Sequence, residues 1–160
     1  MPMHKARLTL LAAIVLLTAG VRAWAQETYV RAEIDQDQLR ITTSAGRQIV
    51  PDRDTDQVGF DKVAISADHR SVGWLALFPN CCTSYPIPLT LIVYVDGRQL
   101  MFTEMDLPVW RWMFSRDGRQ VAFQQETVHG GIGVHYELRD LSTGGLVAAY
   151  DPDPSTPGES

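Results

Sequence analysis

The sequence contains two copies of one twelve-residue pattern, VAISADHRSVGW at residues 63–74 and WMFSRDGRQVAF at residues 112–123. Both copies follow the same order of positions. An apolar run is followed by Ser, by any residue and by Asp. Then come a position that is either Gly or His, an Arg, any residue, a Val, a small residue and an aromatic residue. Such short apolar runs on either side of a polar stretch predict two strands joined by a turn. In that turn the Asp can accept hydrogen bonds from backbone amides, and the next position favours a positive φ. Gly118 adopts positive φ freely, and His69 belongs to a residue type that is enriched there.

A further hairpin follows each copy, so each predicted unit has four short antiparallel strands. A shorter hairpin before residue 51 looks like the last half of another unit. Helix periodicity is nearly absent from the chain. The predicted strands are Tyr29–Ile34, Gln38–Thr43, Arg47–Val50, Lys62–Ser66, Val72–Phe78, Thr90–Val95, Gln99–Thr103, Val109–Ser115, Gln120–Thr127, Val134–Arg139 and Leu146–Tyr150.

At these residues the chain resembles the repeat of bacterial β-propellers of the TolB-like and WD40-like type. The segment SRDGRQVAF at residues 115–123 resembles their turn between the first two strands of a blade. The resemblance covers residues 60–150 and implies antiparallel four-stranded blades. Two and a half units are fewer than the ~4 to 8 blades that close a propeller ring. We therefore expect an all-β fold of blade-like sheets, arranged as an incomplete propeller or as a two-sheet sandwich.

The first 25 residues have the layout of a secretory signal peptide. Lys5 and Arg7 precede an apolar run, and Ala23-Trp24-Ala25 forms a small-x-small cleavage site. The apolar run is shorter than the ~20 residues that a spanning helix needs. We expect a periplasmic or secreted protein with one β domain at residues 26–150, a disordered proline-containing tail at residues 151–160, and no membrane insertion after cleavage.

The charge of the predicted mature chain limits its partners. Residues 1–25 hold three basic residues and no acidic residue, which leaves 11 basic and 19 acidic residues and a net charge of −8. Without a basic cluster, the chain is unsuited to nucleic acid, whose phosphates are contacted by clustered Lys and Arg. Anionic membrane surfaces should repel it as well.

The two cysteines, Cys81 and Cys82, are adjacent. Export would bring them into an oxidising compartment, yet neighbouring Cα atoms lie ~3.8 Å apart, closer than the ~4.4 Å of ordinary disulfides. Three states remain open: two free thiols, a strained bond between neighbours, or a bond to another chain. Two cysteines alone cannot complete a zinc site.

Both long connections between second and third strands, at residues 79–89 and 127–133, should emerge on one rim of the domain. Because loops on a rigid sheet scaffold often bind partners, we take Cys81, Cys82, Tyr85, His129 and His135 as candidate binding residues.

Two further patterns invite a functional or a structural interpretation. Asp52, Asp54 and Asp56 alternate like the start of a calcium loop, but Gln57 and Val63 replace the Gly and Glu of a complete loop. They are weak metal candidates, better explained as a solvated acidic linker. The aromatic stripe on residues 110–114 is either core or a ligand face, and large aromatics favour core.

No nucleophile, base and acid form a recognisable catalytic set in the sequence. We therefore predict an exported, non-catalytic β-repeat module without a cofactor. Its partner would be a protein or a saccharide, or its role structural, and it could form oligomers through exposed sheet edges. The alternative is a redox or metal-handling periplasmic protein that uses Cys81 and Cys82.

Cleavage of the signal peptide is directly testable. Because the small-x-small motif ends at Ala25, the exported protein should begin at Gln26 or within a few residues of it. An intact-mass measurement of protein recovered from secreting cells checks this. A mass that still includes residues 1–25 would refute the assignment.

Overall fold

The computed structural model describes residues 27–103, 107–129 and 133–152. The predicted signal peptide and residues 153–160 of the predicted tail lie outside these ranges. The described residues contain no helix long and apolar enough to cross a membrane. They form strands β1 Tyr29–Asp35, β2 Gln38–Thr43, β3 Gln48–Ile49, β4 Gly59–Ile65, β5 Ser71–Phe78, β6 Ile87–Val95, β7 Arg98–Phe102, β8 Val109–Phe114, β9 Gln120–Gln125, β10 His135–Asp140 and β11 Leu146–Tyr150.

These strands form three antiparallel meanders. Sheet A has the order β1-β2-β3, sheet B the order β4-β5-β6-β7 and sheet C the order β8-β9-β10-β11. None of the three closes into a barrel, and the predicted all-β fold of antiparallel sheets is confirmed. Sheet A has one strand more than the predicted hairpin, because β1 pairs with β2 along its length.

Sheet B is the middle layer, with one apolar core on each of its faces. The core between sheets A and B contains the buried residues Tyr29, Leu39, Ile41, Val72, Trp74, Ala76 and Ile92. The core between sheets B and C contains the buried residues Leu75, Leu91, Val93, Phe102, Val109, Val121, Phe123 and Leu141. Alternation along a strand sends successive side chains to opposite faces, so β5 supplies both cores.

The aromatic stripe of β8 belongs to the core between sheets B and C. Trp112 and Phe114 pack against that core, which confirms the core interpretation for these two residues. A side chain at Gly73 would place its Cβ 2.6 Å from Trp112 Cη2. The missing side chain at this position of sheet B therefore makes room for the indole of sheet C.

The two repeated turns have the same hydrogen bonds, as the sequence repeat predicts. The Ser66 hydroxyl donates to Asp68 Oδ1 at 2.6 Å and accepts from the Ser71 amide at 2.9 Å. In the second copy the Ser115 hydroxyl donates to Asp117 Oδ1 at 2.6 Å and accepts from the Gln120 amide at 3.0 Å. Each Asp also accepts from the amide two residues later, at 3.1 Å.

The position of positive φ is also confirmed, at His69 (φ 60°) and Gly118 (φ 71°). An Asp-Gly pair between two strands predicts a two-residue turn. The connection at Asp117-Gly118 is longer, because Ser115 and Gln120 are the residues that close it. His69 has an additional role that Gly could not supply: its Nδ1 lies 2.8 Å from the Tyr29 carbonyl oxygen. The first turn therefore also ties β1 of sheet A to sheet B.

One predicted boundary is wrong in a way that affects the candidate loops. Strand β6 begins at Ile87 rather than Thr90, and Pro88 pairs with Leu77 inside the sheet. The register shift between Ala76 and Leu77 accommodates this proline, which cannot donate a ladder hydrogen bond. The connection between β5 and β6 is therefore residues 79–86, and residues 87–89 belong to the strand.

Gly118 combines positive φ with a close neighbour, which makes it a sharp test of the turn. Its ideal Cβ would lie 2.5 Å from the Asp68 carboxyl carbon of the other turn. Asp68 cannot yield freely, because Ser66 and the Arg70 amide hold its carboxylate. Gly118→Ala should therefore lower the free energy of unfolding by more than about 1 kcal/mol, through backbone strain and the clash together.

Gly46→Ala is the matched control, because Gly46 has φ 81° and nothing within 4 Å of its ideal Cβ. It should suffer the backbone strain alone. Chemical denaturation of both variants compares them, and equal losses would contradict the packing of the two turns.

Candidate functional site

The loop at residues 79–86 presents its candidate residues to solvent. Cys81 and Cys82 are both exposed and unbonded, with their sulfur atoms 2.7 Å apart. Tyr85 is 53% exposed. The Thr83 hydroxyl donates to the Tyr85 carbonyl at 2.6 Å, and the Cys82 amide donates to Asn80 Oδ1 at 3.3 Å. The loop therefore holds a vicinal dithiol and an exposed ring at its tip.

The electrostatics around Cys82 do not activate its thiol. The hydrogen bond between the two sulfurs is the largest cause that raises the pKa of the Cys82 thiol above its ordinary value, and like-charge repulsion from Cys81 adds to the effect. The thiolate is both the nucleophile and the metal ligand of a cysteine. A higher pKa lowers the thiolate fraction at neutral pH, so the redox hypothesis gains no support from this environment.

The two candidate histidines lie in different surroundings. His129 is exposed in the connection between β9 and β10, and residues 130–132 of that connection lie outside the described residues. His135 is instead the first residue of β10 and only 8% exposed. It therefore does not belong to the rim loop with which we grouped it.

His135 lies in a compact network of ionisable groups. Its Nδ1 is 2.6 Å from Asp151 Oδ1, and its Nε2 is 3.0 Å from Glu137 Oε1. Arg139 Nε donates to the other Glu137 oxygen at 2.6 Å, and its guanidinium lies 5.8 Å from the Phe102 ring centroid. Asp151, which the sequence assigned to the tail, is thereby held against β10.

The acidic candidates for a metal site do not converge. Asp52, Asp54 and Asp56 are all exposed, and Asp54 Oδ1 accepts the Asp56 amide at 2.9 Å. Within the described ranges, no group of three or more His, Cys, Asp and Glu could hold a metal ion.

Four hairpin turns border a cleft of about 530 Å³ between sheets B and C. Among the hydrogen bonds around it, that of Arg98 joins sheet B to sheet C, and those of Leu141 and Asp140 lie within sheet C. Arg98 donates to the Ser142 carbonyl across the cleft, and the Leu141 amide donates to the Arg119 carbonyl at 2.9 Å. The Asp140 carboxylate accepts hydrogen bonds from the Ser142 and Thr143 amides at 2.8 and 3.1 Å. The pKa of Asp140 is lowered, and the hydrogen bond from the Ser142 hydroxyl is the largest cause.

The outer surfaces of the two terminal sheets differ in chemistry. On sheet A the residues that face away from sheet B are polar, and several form ion pairs. Arg31 lies 2.6 Å from Glu33, and Arg40 lies 3.2 Å from Asp35. The charged face of sheet A consists of Arg31, Glu33, Asp35, Gln38, Arg40, Thr42 and Gln48.

On sheet C the residues that face away from sheet B are largely apolar and uncovered. Met113 is 67% exposed, Tyr150 63% and Tyr136 39%. The Tyr136 and Tyr150 rings stack with centroids 6.2 Å apart. A depression of about 560 Å³ opens over Met113, Ala122 and Tyr136. The open face of sheet C consists of Arg111, Met113, Ala122, Gln124, Tyr136, Leu138, Ala148 and Tyr150, with the polar pair Gln120 and Asp140 at its end near the turns.

Sequence reasoning missed the open face, because β10 alternates charged and apolar residues. The usual expectation is that the apolar set faces the core. Instead His135, Glu137 and Arg139 face inward, since they neutralise one another, and Tyr136 and Leu138 face outward. A signal was present in β11, whose five residues include no charge although it ends the sheet.

No protein-family model and no curated protein matches the sequence. Among solved structures, the chain is similar to a chain of hydrazine synthase from Kuenenia stuttgartiensis, with 18% identity and a TM-score of 0.44. The similarity covers 79% of this chain and 34% of that one, so this chain spans about a third of that chain's length. A score this low does not establish a shared fold, and the resemblance to propeller repeats stays an expectation.

The network at His135 predicts a pH dependence of stability. The hydrogen bond with Asp151 raises the pKa of His135, burial opposes the shift, and the bond with Glu137 adds to it. A raised pKa means that the folded state holds the proton more tightly than the unfolded state, whose pKa is about 6.5. The resulting stability is present below that value and lost as pH rises through the folded pKa.

We therefore expect wild type to exceed His135→Gln in free energy of unfolding by more at about pH 6 than at about pH 9. Denaturant titrations at both pH values give the two differences. A difference that stays constant with pH would show that His135 is not protonated in the folded state.

Proposed function

We propose that this chain is an exported, non-catalytic protein-binding module that docks its partner on the open face of sheet C. The observation that carries the proposal is the contrast between the two ends of the stack. One end is closed by charged side chains that pair with one another, and the other presents exposed Met113 and a tyrosine pair. Contiguous exposed apolar surface rimmed by polar groups is typical of protein interaction sites.

The shape of this surface also suits a protein partner. Sheets pack on sheets through interdigitating side chains, ~10 Å apart, as sheets A and C already do on sheet B. Arg111 and Gln124 add hydrogen-bonding groups to the apolar row, and Lys62 lies at its edge. A partner with a complementary apolar surface would bury the row and pair with these polar groups.

A non-catalytic role is supported by the state of the titratable groups. His135, the buried histidine, already has both ring nitrogens occupied by carboxylates. The Cys82 thiol has an environment that disfavours the thiolate. These groups are therefore poorly placed to abstract a proton from a substrate or to donate one to it.

Capture of partners from the exported fraction of the host tests the proposal. Met113→Glu should lower recovery of a specific partner at least ~10-fold, a loss of ~1.4 kcal/mol, because docking would bury an unpaired carboxylate. The matched control is Val30→Glu, which introduces the same charge at a 54% exposed strand residue of sheet A. Quantitative mass spectrometry of the captured proteins provides the measurement.

The competing site is the loop at residues 79–86. Tyr85→Ala with Cys81→Ser and Cys82→Ser should leave recovery unchanged, and all variants should melt at the same temperature as wild type. Loss of the partner in this loop variant, with full recovery in Met113→Glu, would move the binding site to the rim and refute the proposal.

A further inference from the structure

We infer that the partner on the open face of sheet C is a second copy of this chain, packed face to face about a two-fold axis that runs parallel to the strands. This inference rests on the proposed function, because it names the occupant of the same face. It follows from three features of the described residues: the layering of the sheets, the charge at the other end of the stack, and the order of residues on the open face.

The layering already shows what covers such a face. Each face of sheet B is covered by another sheet of the chain. The inner faces of sheets A and C are buried by the same contacts. The open face of sheet C is the apolar sheet surface that remains without a cover among the described residues. A further sheet is therefore the cover that matches the rest of the stack.

The charged face of sheet A cannot be that cover. Docking it on sheet C would remove Arg31, Glu33, Asp35 and Arg40 from water. Desolvation of paired charges is unfavourable, and an apolar surface offers them no new partners. Head-to-tail stacking of copies is thereby disfavoured. Packing of sheet C on sheet C gives a closed, isologous dimer instead.

The order of residues on the open face is self-complementary. One row across the four strands reads Met113, Ala122, Leu138, Ala148. A two-fold axis parallel to the strands, between β9 and β10, reverses this row in the second copy. Met113 then meets Ala148 of the other copy, and Ala122 meets Leu138. Each large side chain faces a small one, the arrangement that fills an interface without voids.

The neighbouring row agrees with the same axis. It reads Arg111, Gln124, Tyr136, Tyr150. Reversed, it places the Arg111 guanidinium against the Tyr150 ring of the other copy, a cation–π pair. The Gln124 amide meets the Tyr136 hydroxyl. An axis perpendicular to the strands would instead bring Arg111 onto Arg111 if it ran along this row, or onto Met113 if it ran between the two rows. Neither residue offers the guanidinium a partner, so the parallel axis fits the face better.

The size of the face sets the strength of the dimer. Four strands ~4.8 Å apart span roughly 19 Å, and five residues extend ~17 Å. The resulting contact is smaller than the ~800 Å² that each partner buries in a standard interface. We therefore expect a reversible dimer that depends on protein concentration.

Sedimentation velocity on the full chain, purified from secreting cells, tests the inference between about 2 and about 200 μM. Wild type and Val30→Glu should pass from monomer to dimer over this range. Met113→Glu and, separately, Ala148→Lys should each raise the dissociation constant at least ~10-fold. A mixture of the two variants should recover dimer, because the introduced carboxylate and ammonium would meet across the interface.

Several outcomes would overturn the inference. The first is a monomer at every concentration. The second is a dimer that Met113→Glu leaves unchanged and Val147→Pro abolishes, because this result would place the contact at the β11 edge. Absence of rescue in the mixture would reject the parallel axis. The proposed function fails separately, if wild type and Met113→Glu recover the same proteins in equal amounts, a second copy of the chain included.

Discussion

Sheet B has to be covered on both faces, and the rest of the molecule follows from that requirement. Trp74 and Leu75 are neighbours on β5, point to opposite faces and are both fully buried. Burial of such a side chain contributes about 1.5–3 kcal/mol to the free energy of unfolding. Both side chains can be buried only if a layer covers each face of sheet B. Sheets A and C are those layers, so a stack with two unlike ends results.

The repeated turns hold the layers in register. A Ser and an Asp close each turn with the same three hydrogen bonds. His69 joins sheet A to sheet B through Tyr29, and Gly118 lets Asp68 approach the next turn. Arg98 then bridges sheet B to the last hairpin of sheet C. The same sequence motif therefore forms both turns. Its variable position, which is His69 in the first copy and Gly118 in the second, fixes how the sheets meet.

The sequence predicted the turns and strands well, because their determinants are local. Ser66, Asp68 and His69 act within six residues of one another, and strands β2 and β11 have the predicted bounds. The start of β6 was missed, since Pro88 is tolerated only through a register shift in its neighbour. The inward face of β10 was unpredictable from its alternation, because burial of Glu137 depends on partners at residues 135 and 139 that neutralise it.

The central claim is that the open face of sheet C becomes covered. Two exposed methionines allow it to be measured within one molecule, since Met113 lies on that face and Met101, 54% exposed, lies on β7 of sheet B. Peroxide converts accessible methionine to the sulfoxide, and peptide mass spectrometry gives both rates as protein concentration is raised. The account predicts that oxidation of Met113 slows with concentration while that of Met101 does not. Equal, concentration-independent rates at both residues would contradict it.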